Sequence, residues 1–281
     1  MKKTAYIFLI AALFLTVRVS AETKDLLILH TNDTHSCILP LSTELKDTMQ
    51  AGRGGYLRRI EMLKQERAKN PKLLLIDSGD FSQGSPYYNE YKGDLEIDLM
   101  NEMRYDVSVV GNHEFDFGVE NLARLVKRAN FPILCANYDF TGTACEGLIK
   151  PYTIIKRDGV KIGLIGLSPH LEGLVAANTR VGVGYNDPIE AAVKWETYLK
   201  ENEKCDVIII VSHLGWGDFA DMDKYLISKT RYTDLVLGGH THSYFKDIKW
   251  VMNANDVPVP DDQNGKNAIF VGKIKLTLES E

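Results

Sequence analysis

Five short polar clusters hold most of the histidine in this 281-residue chain: His30-Thr31-Asn32-Asp33-Thr34-His35, Asp77-Ser78-Gly79-Asp80, Gly111-Asn112-His113-Glu114-Phe115-Asp116, Ser212-His213-Leu214-Gly215 and Gly238-Gly239-His240-Thr241-His242. Five of the seven histidines (His35, His113, His213, His240 and His242) lie in loops there, while His30 sits within an apolar run and reads as a satisfied core residue. His170 reads as either a cleft or a surface loop residue. A lone histidine after a strand is usually structural, but five in such loops point to a metal centre. Imidazole and carboxylate together suit Zn, Mn, Fe or Co, and one carboxylate can serve two ions about 3.5 to 4 Å apart.

Each cluster follows a short apolar run, namely Leu26–Leu29, Leu73–Ile76, Val107–Val110, Val207–Val211 and Leu235–Leu237; further runs are Ile133–Ala136 and Ile162–Leu167. Their length and Val/Ile content predict strands buried on both faces. Amphipathic stretches lie between them: Tyr56–Lys69, Leu95–Arg104, Val119–Ala129, Ile189–Glu201 and Phe219–Lys229. Asp187-Pro188 reads as a helix start. Strands alternating with helices predict an α/β fold, with the clusters converging at the carboxyl ends of its strands. Val257–Pro260 and Ala268–Leu278 read as strands joined by the turn-rich segment 261–265, an antiparallel edge that makes the sheet system mixed.

Composition is that of a compact globular domain: 44% apolar, 25% charged, 22 Gly and 9 Pro, which excludes disorder, collagen and coiled coil. Residues 1–21 read as a secretory signal, with Lys2 and Lys3, an apolar run Ala5–Leu15 and Val19-Ser20-Ala21 before Glu22. That run is too short to span a bilayer. The expectation is an exported protein, periplasmic or secreted, with one domain over residues 22–281. Without Lys2, Lys3 and Arg18 the 33 cations become 30 and the net charge moves from −5 to −8, unsuited to general nucleic-acid binding. Four cysteines permit three complete pairings. Cys135, inside an apolar stretch, reads as a buried free thiol, and a Cys135–Cys145 bridge is the alternative.

Asp33-x-His35, Gly79-Asp80, Gly111-Asn112-His113-Glu114, His213 and Gly239-His240-Thr241-His242, in this order, resemble the calcineurin-like metallophosphoesterases. The wording around them is similar to that of the bacterial 5′-nucleotidase, UDP-sugar hydrolase and 2′,3′-cyclic phosphodiesterase family, over residues 26 to about 278. The resemblance implies a four-layer α/β/β/α sandwich of two mixed sheets flanked by helices. It implies two divalent ions (Zn, Mn, Co, Fe or Mg), one held by Asp33, His35, Asp80 and His242, the other by Asp80, Asn112, His213 and His240, with Asp80 shared. Two aspartates against two such ions leave the site net positive by two, suited to a phosphate dianion. Paired ions lower the pKa of a shared water to about 7 and supply a bridging hydroxide as nucleophile. The resemblance also implies a His113–Asp116 dyad that protonates the leaving group, and Asp116 suits this by raising the imidazole pKa. Asp116 as a surface carboxylate or helix cap is the plainer reading. Glu114 reads as a brace and Asn32 as a cleft neighbour; the Gly52-Arg53-Gly54-Gly55 loop could border the cleft too, where Arg53 would suit a phosphate, but a solvated loop arginine is the favoured reading.

Family members usually continue into a second domain that sandwiches the base between aromatic side chains and holds phosphate with arginines. This sequence stops near where the joining helix is expected. Either a separately encoded protein supplies that half, or the metal domain acts alone on accessible monoesters. The expected activity is therefore release of phosphate from nucleotides or related esters. A cyclic phosphodiester or a nucleotide-sugar pyrophosphate is the alternative substrate, and a non-catalytic phosphate- or metal-binding subunit of a two-chain complex the alternative of another class.

Overall fold

The computed structural model describes residues 23–279, so the signal expected over residues 1–21 lies outside the described residues. The first half runs β1 (Thr23–Thr31), α1 (Tyr56–Lys69), β2 (Leu74–Asp77), α2 (Pro86–Tyr91), α3 (Asp94–Met103), β3 (Val107–Val109), α4 (Val119–Arg128), β4 (Ile133–Leu134) and β5 (Tyr138–Asp139). Then follow β6 (Tyr152–Arg157), β7 (Val160–Leu167), β8 (Gly184–Tyr185), α5 (Pro188–Glu201), β9 (Val207–Ser212), α6 (Asp223–Lys229), β10 (Leu235–Leu237), β11 (Lys249–Met252), β12 (Pro258–Asp262) and β13 (Gly272–Glu279). Among the described residues no helix is long and apolar enough to cross a membrane.

Two large sheets form, one ordered β13-β1-β2-β3-β4, the other β11-β12-β10-β9-β7-β6. Strands β1 to β4 pair in parallel, and so do β7, β9, β10 and β12; β13, β11 and β6 add antiparallel edges. The strand period of two divides the aliphatic residues between layers. Ile28, Leu74 and Ile76 of the first sheet meet Ile209, Val211 and Leu237 of the second in a fully buried interior. Leu29, Leu75 and Ile133 face outward onto Leu63, Ile97, Met100 and Leu122 of α1, α3 and α4. On the far side Ile208, Ile210 and Val236 pack on Ala192, Leu199, Leu226 and Ile227 of α5 and α6. The result is the expected α/β/β/α sandwich.

Local signals account for several boundaries. Asp187 accepts from the amides of Ile189 and Glu190, with Pro188 at the first helical position, which satisfies orphan donors at no cost in hydrogen bonds. The expected helix from Phe219 begins only at Asp223. One expectation fails: β12 and β13 do not pair with each other but lie in different sheets. Residues 261–264, read as turn, are buried instead. Their polar side chains are largely engaged inside, as when Asp262 meets His30 at 2.9 Å and Asn264 donates to His30.

Candidate metal centre

All five polar clusters converge. Asp33 and His35 follow β1, Asp80 follows β2 and Asn112 follows β3, on the first sheet; His213 follows β9, and His240 and His242 follow β10, on the second. Ligand atoms of Asp33, His35 and His242 lie within 4.8 Å of one another, as do those of Asp80, His213 and His240. A third group, His35, Asp80 and His113, also contains Asp80, so Asp80 stands between the two ends. His35 Nε2 is 2.9 Å from His242 Nε2, and these are 3.8 and 3.5 Å from Asp33 Oδ1. His213 Nε2 is 3.1 Å from Asp80 Oδ2.

The backbone bends sharply to achieve this. Asp33, His35, Asp80, His240 and His242 adopt φ of 47°, 44°, 54°, 69° and 55°, left-handed conformations that cost a non-glycine residue of order 1 kcal/mol or more. Glycine is required at two close approaches: a Cβ at Gly111 would lie 2.2 Å from Asp80 Oδ1, and one at Gly239 would lie 2.9 Å from His213 Nδ1.

Bracing residues hold the ligands. Glu114, fully buried, accepts from the amides of Asp80, Ser82 and Gly111. The carbonyl of Ser78 accepts from His213 Nδ1 at 2.5 Å, aiming Nε2 at the centre. Asn32 donates to Asp33 Oδ2 at 2.6 Å and to the Gly265 carbonyl, and its Oδ1 accepts from the Asn264 amide; it is a buried brace rather than the expected cleft neighbour. Arg53 lies outside the cleft lining altogether. His170 is exposed, edge-on to Tyr185 at 4.5 Å. All four cysteines are free thiols, Cys135, Cys145 and Cys205 buried.

Electrostatics mark the centre as cation-seeking. Burial pushes Asp33 up to about 7. Burial works on Asp80 in the same sense, yet the charge and hydrogen bond of His213 hold it well below the usual carboxylate range. Burial also holds His35 and His240 down to about 4, hence neutral. His213 resists burial because Asp80 and Asp33 surround it, and is held up to about 10. A field that retains a proton on His213 equally favours a metal ion in its place. Asn112 Oδ1 is buried with no hydrogen-bond partner among the described residues. Neutral His35 and His240, an imidazole at His213 whose proton a metal ion would replace, two carboxylates and the unpartnered amide oxygen of Asn112 make a donor set that fits two divalent ions.

Beside the ligands, His113 Nδ1 lies 3.1 Å from Asp116 Oδ2. Burial lowers the His113 pKa, but the bond to Asp116 and the charges of Asp80 and Asp116 outweigh it, so the imidazole titrates above its usual range. Its neighbours His35 and His242 open onto a cleft of about 510 Å³ that His113 also lines. Among the described residues Lys266 is the one Lys or Arg lining this cleft. No spacing pattern in the sequence pointed to it; the Asn267 amide, bonded to the Asp33 carbonyl at 2.9 Å, brings it there.

Residues 26–244 match the calcineurin-like phosphoesterase family. A snake venom 5′-nucleotidase of Crotalus adamanteus is 36% identical over 231 residues, covering 80% of this chain and 38% of its own length. The crystal structure of a 5′-nucleotidase precursor from Thermus thermophilus superposes with a TM-score of 0.82 and 29% identity, over 90% of this chain and 51% of that one. A Haemophilus influenzae NAD nucleotidase gives 0.80 and 25%, over 91% and 53%. The chain thus spans about two fifths of the curated relative and half of the solved chains. With the match over most of its length and the ligand clusters where the fold converges, the chain belongs to the calcineurin-like phosphoesterase family.

Proposed function

We propose that this chain hydrolyses phosphate monoesters, with nucleoside 5′-phosphates as the substrate class. The observation that carries this reading is three overlapping ligand groups, Asp33, His35 and His242 joined through His35 to the group with Asp80 and His113, and through Asp80 to His213 and His240, with Asp116 beside His113. Asp33, His35, Asp80 and His242 would hold one divalent ion, and Asp80, Asn112, His213 and His240 the other. When bound, such ions neutralise phosphoryl oxygens and lower the pKa of water, so that no protein nucleophile is required. His113, its Nδ1 bonded to Asp116, donates its Nε2 proton to the departing alkoxide oxygen. The Glu114 and Ser78 bonds keep Asp80 and His213 from drifting as charge moves. Lys266 adds one positive charge at the cleft, complementary to an anionic substrate.

Nucleotide selectivity is supported by the likeness to 5′-nucleotidases, and a pyrophosphate-linked dinucleotide is the second reading, favoured by the likeness to an NAD nucleotidase. Export is proposed from the segment Ala5–Ala21. A separately encoded base-binding protein is proposed as partner. The test uses the mature chain, stripped of metal and reloaded with Mn²⁺, Zn²⁺, Co²⁺ or Mg²⁺. The expected result is two ions per chain by elemental analysis, phosphate release from adenosine monophosphate and p-nitrophenyl phosphate, and loss of both in Asp80→Ala. A folded chain carrying both ions but releasing no phosphate from either ester or from NAD overturns the reading. A sub-millimolar KM for the nucleotide with this chain alone removes the need for a partner.

A further inference from the structure

The Gly52–Gly55 loop, whose Arg53 carbonyl accepts from the amide of Leu41 at the edge of the histidine cleft, closes a second cavity of about 480 Å³ between α1 and the entry to β13. Leu29, Met62 and Phe270 give it apolar walls, while Arg53, Arg58, Arg59 and Lys273 line it with four cations against the single carboxylate of Glu66. Lys273 already neutralises Glu66 at 2.7 Å, so no carboxylate of the lining pairs with the three arginines, inside a protein whose net charge is −5; the buried Asp77, reached through Tyr105 and Thr31, feels the charge of Arg59 alone among them.

Arg59 is the telling member. It is only 4% exposed, and its Nε and Nη2 have no hydrogen-bond partner among the described residues. Its one side-chain bond is a long one, 3.4 Å from Nη1 to the Tyr105 hydroxyl, and the guanidinium carbon lies 5.2 Å from the Tyr56 ring centroid. Burying N–H donors without acceptors costs about 1 to 3 kcal/mol, which an arriving anion would offset. Arg53 and Arg58, both exposed at the rim, would steer that anion in, and guanidinium groups suit carboxylate and phosphate through bidentate hydrogen bonds.

We propose that this cavity binds a small organic anion, one carboxylate or phosphate head on an apolar body, with the head among Arg53, Arg58 and Arg59 and the body along Met62 and Phe270. The site is separate from the metal centre, although the Asn267–Ala268 segment is shared: a Cβ at Gly54 would lie 3.1 Å from the Asn267 carbonyl oxygen, and the Asn267 amide bonds Asp33.

Calorimetric titration of the full chain with sodium decanoate and with decylphosphonate, which has no ester bond to hydrolyse, each below its micellar range, tests this. One saturable site is expected for at least one of them, and the one that binds identifies the head group. Sodium acetate and neutral 1-decanol should bind at least about tenfold more weakly, the worth of one charge-assisted hydrogen bond. Arg53→Ala/Arg58→Ala should weaken binding by a similar factor while hydrolysis of p-nitrophenyl phosphate stays unchanged, since neither residue lines the cleft. Met62→Trp, which fills the cavity and keeps every arginine, should abolish binding. Decanol binding as tightly as the anions, wild-type affinity in either variant, or no saturable site for either amphiphile would overturn the proposal. Binding and hydrolysis are read separately, so neither failure is mistaken for the other.

Discussion

At the scale of the residue, the division of labour between His113 and its neighbours is the sharpest expectation. His113 sits next in sequence to Asn112 and shares a group with His35 and Asp80, but its Nδ1 turns to Asp116. Replacing it by alanine should leave both ions in place and slow alkyl phosphates by about 10², a general-acid magnitude, while p-nitrophenyl phosphate, whose leaving group needs no proton, slows far less. Parallel assays of the two substrates with elemental analysis check this; equal slowing assigns the proton to another group. The convergence of the polar clusters was legible in the sequence, because histidine and aspartate recur after successive apolar runs, whereas their division between two ions came from the family resemblance. The braces were not. Glu114 and Asn32 act through backbone amides and carbonyls of distant loops, and a hydrogen bond to a backbone group leaves no mark on the partner's residue type. Nor does a sequence show that five ligands must take left-handed φ, since none of them is glycine.

At the scale of the element, long buried strands and capped helices were readable, with α1 matching its expected span and α5 beginning at the Asp187-Pro188 signal. Short elements escaped: α2 has six residues, β5 and β8 two each, too few for either periodicity to register. The β12 segment misled because Asp261-Asp262-Gln263-Asn264 has the composition of a turn. In the fold it runs as a strand between β10 and β11, and Asp261 is fully buried with neither carboxylate oxygen hydrogen-bonded among the described residues. Burial, with the charges of Asp223 and Asp262, raises its pKa well above the usual value. A raised carboxyl pKa means the folded chain binds a proton that the unfolded chain has lost, so stability falls as pH rises from about 4 toward the folded pKa. Asp261→Asn, neutral at every pH, should remove that contribution. Urea unfolding at pH 5 and pH 8 should show a smaller loss of stability in the variant than in the wild type; equal losses would mean that Asp261 is ionised in the folded protein.

At the scale of the whole molecule, the family match covers one sandwich whose reactive groups come from both of its sheets, Asp33, His35, Asp80 and Asn112 from one, His213, His240 and His242 from the other. Pattern reading located each contribution separately, but which strands share a sheet follows from long-range pairing such as β1 with β13, residues near opposite ends of the described chain. Between the sheets lies aliphatic packing, Ile28, Ile76, Ile209 and Leu237 among it, and such contacts resist separation better than sliding. Cations seated at the loop ends would act as rivets through this seam, each fastened to both leaves. Their binding free energy is then also cohesion, worth about 4 kcal/mol when free ion exceeds its Kd a thousandfold. Chelation should lower the melting temperature by roughly 10 °C, with faster amide exchange where β9 and β10 run out into their loops. An unchanged melting temperature after verified metal removal would show that the leaves hold without them. If the rivets do bear load, starving this protein of metal would loosen the frame and hand the chain to proteases.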